Sequence, residues 1–235
     1  MSIELPEAYV LSRQMSVELR GKQIRFCQLE DYQKLQRIGF INKRLSDFDR
    51  LSGGRIESVV SRGNVIRVKL DNGMNLLLAP EYGGRVLYHT KGSIAPEKFH
   101  LKLSFSDDTA LTVALTGMGV IQALKDDELE SSYVYRRDFS QAASAIDDKE
   151  FTLEQFAEEL THKNVNIKSA LVGKDAVVVG LSNSAFQDAI YRAKIHPKRK
   201  ASSLTESEKR VLYDAIKLVV QKRIQSGGKN QFVDL

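Results

Sequence analysis

The stretch Val178-Val179-Gly180-Leu181-Ser182-Asn183, followed by Ala185 to Lys194 and then His196-Pro197-Lys198-Arg199-Lys200, decides the reading of this chain. A short apolar segment meets a tight turn containing Gly and Asn, and a new helix begins directly after it. Such a turn exposes backbone N–H groups, and the helix that follows adds its positive dipole end, so together they can cradle a phosphate. Asn183 can donate its side-chain amide to the same group, and Lys198, Arg199 and Lys200 lie one helix away. The plainer alternative is a helix-turn-helix connection with Asn183 as N-cap.

The surrounding charge favours a polyanion. From His162 to Leu235 there are 14 Lys and Arg against 6 Asp and Glu, while the preceding residues are mildly acidic. A basic helical module beside such a module points to DNA or RNA, against the alternative of a solvated basic surface. No apolar run approaches the ~18 residues of a membrane span. The start, MSIELPEAYV, carries an acid where a secretory signal has basic residues, so a cytoplasmic protein is expected. The single cysteine, Cys27, permits no internal disulfide, fits a reducing compartment and excludes a Cys-rich zinc site. His89, His100, His162 and His196 show no metal-ligand spacing, and no metal or cofactor is expected.

Outside the basic region the pattern is an amino-terminal helix and then sheet. Pro6 suits a first helical turn, Gly21 a helix end, and Leu5, Ala8, Leu11, Met15 and Leu19 form a stripe between them. Val65 to Leu70, Asp71-Asn72-Gly73 and Met74 to Leu78 read as a hairpin. Phe99, Leu101, Leu103 and Phe105 share one face of a strand, and Asp107-Asp108 turns the chain into Ala110 to Leu115. These features predict an α+β protein: a β-sandwich packed with the first helix over 1–125, a polar linker over 126–150, and a helical domain over 151–235. Thr152 with Gln155, and Thr205 with Glu208, match capping boxes. The second opens a helix with Leu212, Ala215, Ile216 and Val219 on one face, stopped by Gly227-Gly228.

Lys168 through Ser203, with GLSN and IHPKRKASSL, resembles the helix-two-turn-helix element of the formamidopyrimidine-DNA glycosylase/endonuclease VIII family. Glu4-Leu5-Pro6-Glu7 matches that family's ELPE start, and Glu18-Leu19-Arg20-Gly21-Lys22 is also similar. The similarity runs from about residue 3 to 230 and is weakest in the sheet. It implies a protein that binds damaged duplex DNA between a β-sandwich and a helical domain, where members flip out the lesion and excise its base. By resemblance Asn183 holds a backbone phosphate, with Lys168, Lys198, Arg199, Lys200, Arg62 and Asn64 as further DNA contacts. Glu4 matches the general acid and Glu7 a carboxylate that orients the amino-terminal region. Both acids equally suit a helix first turn.

The resemblance also has gaps. The family's nucleophile is an amino-terminal amine directly before the ELPE glutamate; here that residue is Ile3, preceded by Met1 and Ser2, and an internal amide nitrogen cannot attack. Asn64 stands where a sub-group of relatives has a sheet lysine. Tyr82 and Met118 occupy the places of the DNA-wedging residues, and the sequence stops at Leu235, where relatives continue into a zinc finger or its hairpin equivalent. The expectation is DNA binding, at damaged or abasic sites, with base excision lost or reduced. Two alternatives are an active glycosylase using the amine of Ser2 after removal of Met1, and an RNA-associated or structural adaptor.

Overall fold

A computed structural model of the chain describes residues 3–80, 83–140, 143–227 and 232. The first helix, α1 (Leu5–Leu19), begins as its sequence dictates: Pro6 needs no N–H partner in the first turn, and the Glu4 amide donates to Glu7 Oε2 at 3.2 Å. It ends at Gly21, whose φ of +84° suits a residue without a side chain. The whole predicted stripe is buried, but it serves two cores. Ala8, Leu11, Met15 and Leu19 join the sandwich core, whereas Leu5 belongs to the core of the helical part.

Among the described residues eight strands follow, with a short helix α2 (Gln33–Arg37) after the first: β1 (Ile24–Leu29), β2 (Ile56–Arg62), β3 (Val65–Leu70), β4 (Met74–Ala79), β5 (Arg85–His89), β6 (Leu101–Phe105), β7 (Ala110–Ala114) and β8 (Val120–Lys125). They form two four-stranded sheets, ordered β1-β6-β7-β5 and β2-β3-β4-β8, in which every pairing is antiparallel. The predicted hairpin is β3–β4, turned by Gly73 at φ +77°. Phe99, Leu101, Leu103 and Phe105 all face inward, and Asp108 takes the left-handed conformation that reverses the chain into β7.

Residues 126–150, read as a linker from their acidity, are largely folded. A 3-10 turn (Asp126–Ser131), α3 (Tyr133–Tyr135) and a π-helical turn (Arg136–Ser140) lie against the sheet. Leu129 and Val134 cover Val65, Leu77 and Ala79, which explains why β4 is buried on both faces instead of alternating.

The helical part comprises α4 (Leu153–His162), α5 (Ile167–Val172), α6 (Asn183–Ala193) and α7 (Glu206–Gln225) around Phe151, Leu160, Ile167, Phe186, Leu212 and Ile216. Thr152 Oγ accepts from the Gln155 amide at 3.3 Å, while Thr205 and Glu208 complete a reciprocal capping box. Helix α7 stops at Ser226 and Gly227, the latter at φ +78°; Gly228 lies outside the described residues. Phe232 then returns to the sandwich. Its carbonyl accepts from Tyr88 N at 2.7 Å on edge strand β5, and its ring stacks on Tyr88 with centroids 6.0 Å apart.

Candidate nucleic-acid interface

The turn that opens α6 is built by glycine. Val179 N donates to Ala143 O at 3.0 Å, and Gly180 then takes φ +70° so that its carbonyl accepts from Leu5 N at 3.1 Å. A Cβ at Gly180 would stand 2.6 Å from Gly63 Cα and 2.8 Å from Leu5 Cβ, so backbone meets backbone across the two parts of the molecule. The helix is capped by Ser182, not by Asn183: the Ser182 hydroxyl accepts from Ser184 N at 3.2 Å and Ala185 N at 3.4 Å. Serine and asparagine are similar N-caps, so a one-residue offset was invisible in sequence. Asn183 instead occupies the first helical position, exposed, with no side-chain hydrogen bond to the described residues. It is left available at the positive end of an 11-residue helix.

Next to it lies a clasp that sequence reasoning missed. Glu4 is only 8 % exposed, and both its oxygens are engaged. Ser184 Oγ donates to Oε1 at 2.9 Å and Arg223 Nη1 donates to Oε2 at 2.7 Å. Arg223 also reaches Ser184 Oγ at 3.0 Å and Asp188 Oδ2 at 2.9 Å. One carboxylate thus ties α1, α6 and α7 together. Ser184 and Asp188, four apart on α6, were the only local hint of that face. Glu7 is buried too, and its Oε2 accepts from the Glu4 amide. Ile3 is 2 % exposed and belongs to the sandwich core.

The β2–β3 turn Arg62-Gly63-Asn64 faces this region. Asp138, 1 % exposed in the π-helical turn, accepts from Asn64 N at 3.0 Å and from Arg137 Nη2 at 2.9 Å. Arg137 also donates to Asn64 Oδ1, and Arg62 is ion-paired with Glu150. Between this wall, Ile3 and the residues leading to Ser182 lies a cleft of about 940 Å³. Strand register places the β2–β3 turn and the β7–β8 loop carrying Met118 at the same end of the sandwich. Met118 is 53 % exposed there but does not line the cleft; Tyr82 lies outside the described residues.

The basic residues divide differently from their order in sequence. Lys168, Lys198 and Lys200 are exposed along one edge, where Lys168 N donates to Pro197 O at 3.3 Å and Asn166 bridges to Lys200. None of the three lines the cleft, and neither does Asn183; its lining cations are Arg62, Arg137, Lys149, Lys163 and Lys174. Charge counted along a chain says nothing of which side of a helix carries it. Arg199 grips Glu208 through both terminal guanidinium nitrogens, one bond being 3.1 Å. Those bonds, with the Thr205 amide, hold the Glu208 carboxyl down at about 2. A depressed folded value stabilises above the ordinary value of 4.5 and is lost as pH falls from there to about 2. Glu208→Gln is therefore expected to be less stable at neutrality and to show a flatter urea midpoint across that acid window. An unchanged acid profile would remove Glu208 from the cap.

Among the described residues no group of His, Cys, Asp and Glu is arranged to hold a metal ion, and no helix is long and apolar enough to cross a membrane. Two family models match: the formamidopyrimidine-DNA glycosylase N-terminal domain over residues 3–116 and its H2TH domain over 143–233. The formamidopyrimidine-DNA glycosylase of Lactococcus lactis subsp. cremoris is 23 % identical over 227 residues, covering 97 % of this chain and 80 % of the relative. That of Bacillus subtilis (strain 168) is 26 % identical over 230 residues, covering 96 % and 79 %. The Lactococcus lactis enzyme in complex with DNA containing an abasic site superposes with a TM-score of 0.82 at 22 % identity, covering 96 % of this chain and 80 % of that one. A complex of the same enzyme with DNA containing N7-benzyl-Fapy-dG gives the same TM-score and coverage. The α+β architecture, the sandwich and the helix-two-turn-helix part are those expected from sequence. Two matching models in order, over most of its length, place the chain in the formamidopyrimidine-DNA glycosylase family.

Proposed function

We propose that this protein binds duplex DNA at damaged or abasic sites and that excision by the family's amino-terminal amine is lost or much reduced. The observation that carries the second half is Ile3. Its nitrogen is an internal amide whose lone pair is delocalised, and its side chain is buried beside Glu4. Asn64, at the alternative amine position, offers a non-basic amide that already accepts from Arg137. Support for binding comes from the family, from relatives solved on lesion-containing DNA, and from the open Asn183 at the α6 start. Asn183 donates to a phosphate there, Ser184 and Glu4 fix the turn behind it, and no bond is broken.

The test combines trapping and binding on a duplex with one abasic site. Borohydride is expected to trap no covalent adduct. Affinity should fall as salt rises, and Asn183→Ala should weaken binding by about 1.5–3 kcal/mol, the size of a hydrogen bond to a charged group. An adduct that disappears when the amino terminus is blocked would establish Ser2 as an active nucleophile and reverse the catalytic half. Equal affinity for structured RNA would favour the adaptor reading, as would indifference to Asn183→Ala.

A further inference from the structure

The cleft has an aromatic wall that the binding turn does not use. Tyr133 opens α3 and lines the cleft with 51 % of its surface exposed. The other described aromatic residues lining it, Phe151 and Phe156, are each 2 % exposed and packed edge to face on one another. Tyr133 is held from both sides of the chain. Ser132 Oγ, its helix cap, donates to Gln122 Oε1 on β8 at 2.7 Å. Tyr135 points the other way and stacks on Phe139, centroids 5.0 Å apart and rings 4° from parallel.

A cation lies over the ring. The Arg137 guanidinium carbon is 6.0 Å from the Tyr133 centroid, and Arg137 is itself fixed by buried Asp138 and by Asn64. A π-helical turn supplies both Arg137 and Asp138, and such turns are often found at functional sites. The same cleft is lined by Lys149 and Lys174, which are exposed and make no ion pair with the described residues, and by Lys163, whose Nζ donates to the Asp175 carbonyl at 2.8 Å. A half-open aromatic face in a cleft that also carries unspent cations is the combination that holds unpaired nucleotides: the ring takes the base and the cations take its phosphates. A lone surface tyrosine would carry no such meaning.

We infer that Tyr133 is a stacking platform for one unpaired nucleobase of the bound strand, with Lys149 and Lys174 engaging the flanking phosphates. This rests on the DNA-binding reading above and adds a contact surface separate from Asn183.

The test uses the full chain and two duplexes of one sequence, one fully paired and one with a single-nucleotide bulge. Wild-type protein is expected to prefer the bulged duplex about tenfold, a typical worth of one base–aromatic stack. Tyr133→Phe should keep that preference. Tyr133→Leu, which keeps apolar bulk without a π-face, should bring the two affinities to within about twofold while leaving the paired duplex unchanged. A 5-iodouracil at the bulge should crosslink under long-wavelength light to the peptide containing Tyr133. Equal wild-type affinities, or a Tyr133→Leu protein that keeps its preference, would overturn the platform and leave the DNA-binding reading standing. Wild-type protein that ignores both duplexes in dilute buffer would overturn both.

Discussion

Gly180→Ala should cost about 2–4 kcal/mol of stability and abolish duplex binding. Two effects add. At φ +70° an L-residue is strained by about 1–2 kcal/mol. The new methyl would also stand 2.6 Å from Gly63 Cα and 2.8 Å from Leu5 Cβ. Gly63 cannot retreat, because it sits against Asp138, whose Oδ2 is 2.5 Å from where a Gly63 Cβ would be. The sandwich turn and the α6 turn must therefore part, which displaces Asn183. Gly227→Ala is the control: its φ is +78° but nothing lies within 4 Å, so only the strain applies, about 1–2 kcal/mol. Urea unfolding of both variants, alongside abasic-duplex affinity, checks the difference. Equal costs at the two glycines would show that the close approach of the two turns has no energetic weight.

The second large effect is expected at Arg223. Arg223→Ala leaves the Glu4 carboxylate, 8 % exposed, with the Ser184 hydroxyl as its only side-chain partner among the described residues. Breaking a buried pair on one side costs about 3–5 kcal/mol. Because the Arg223 side chain is itself 19 % exposed, water offsets part of this, and about 2–3 kcal/mol is the expected loss. Glu4→Gln combined with Arg223→Ala should recover part of it, since the stranded charge is gone. Arg223→Ala should also weaken abasic-duplex binding, but add little in an Asn183→Ala background if it acts by holding Ser184 and its neighbour. A double-mutant cycle measures that coupling. Fully additive losses would reduce the clasp to a stability element.

What could be read from sequence was whatever repeats locally. The α1 stripe, the β3–β4 hairpin and the Thr205–Glu208 box each express a period or a spacing inside one element, and periods survive without knowledge of the fold. The clasp does not: Glu4 and Arg223 are separated by 219 positions, and nothing near either announces the other. The folded connector was hidden because Leu129 stands alone among acids and Val134 between two tyrosines, with no period linking them, and their partners Val65, Leu77 and Ala79 are on distant strands. The family motif located the α6 turn, but it could not say that Ser182 caps the helix and that Asn183 is thereby released. Arg199 is conspicuous in a basic run, but its pairing with Glu208 is not announced by its immediate neighbours.

The polypeptide is threaded like a buckled strap. Leu5, from its beginning, is embedded among the helices, while Phe232, from near its other extremity, is embedded in the sandwich. Each half therefore borrows a piece of its interior from the opposite tip of the chain. Severing the molecule within 126–150 would not release two self-sufficient modules, and heat should undo both halves in one cooperative step.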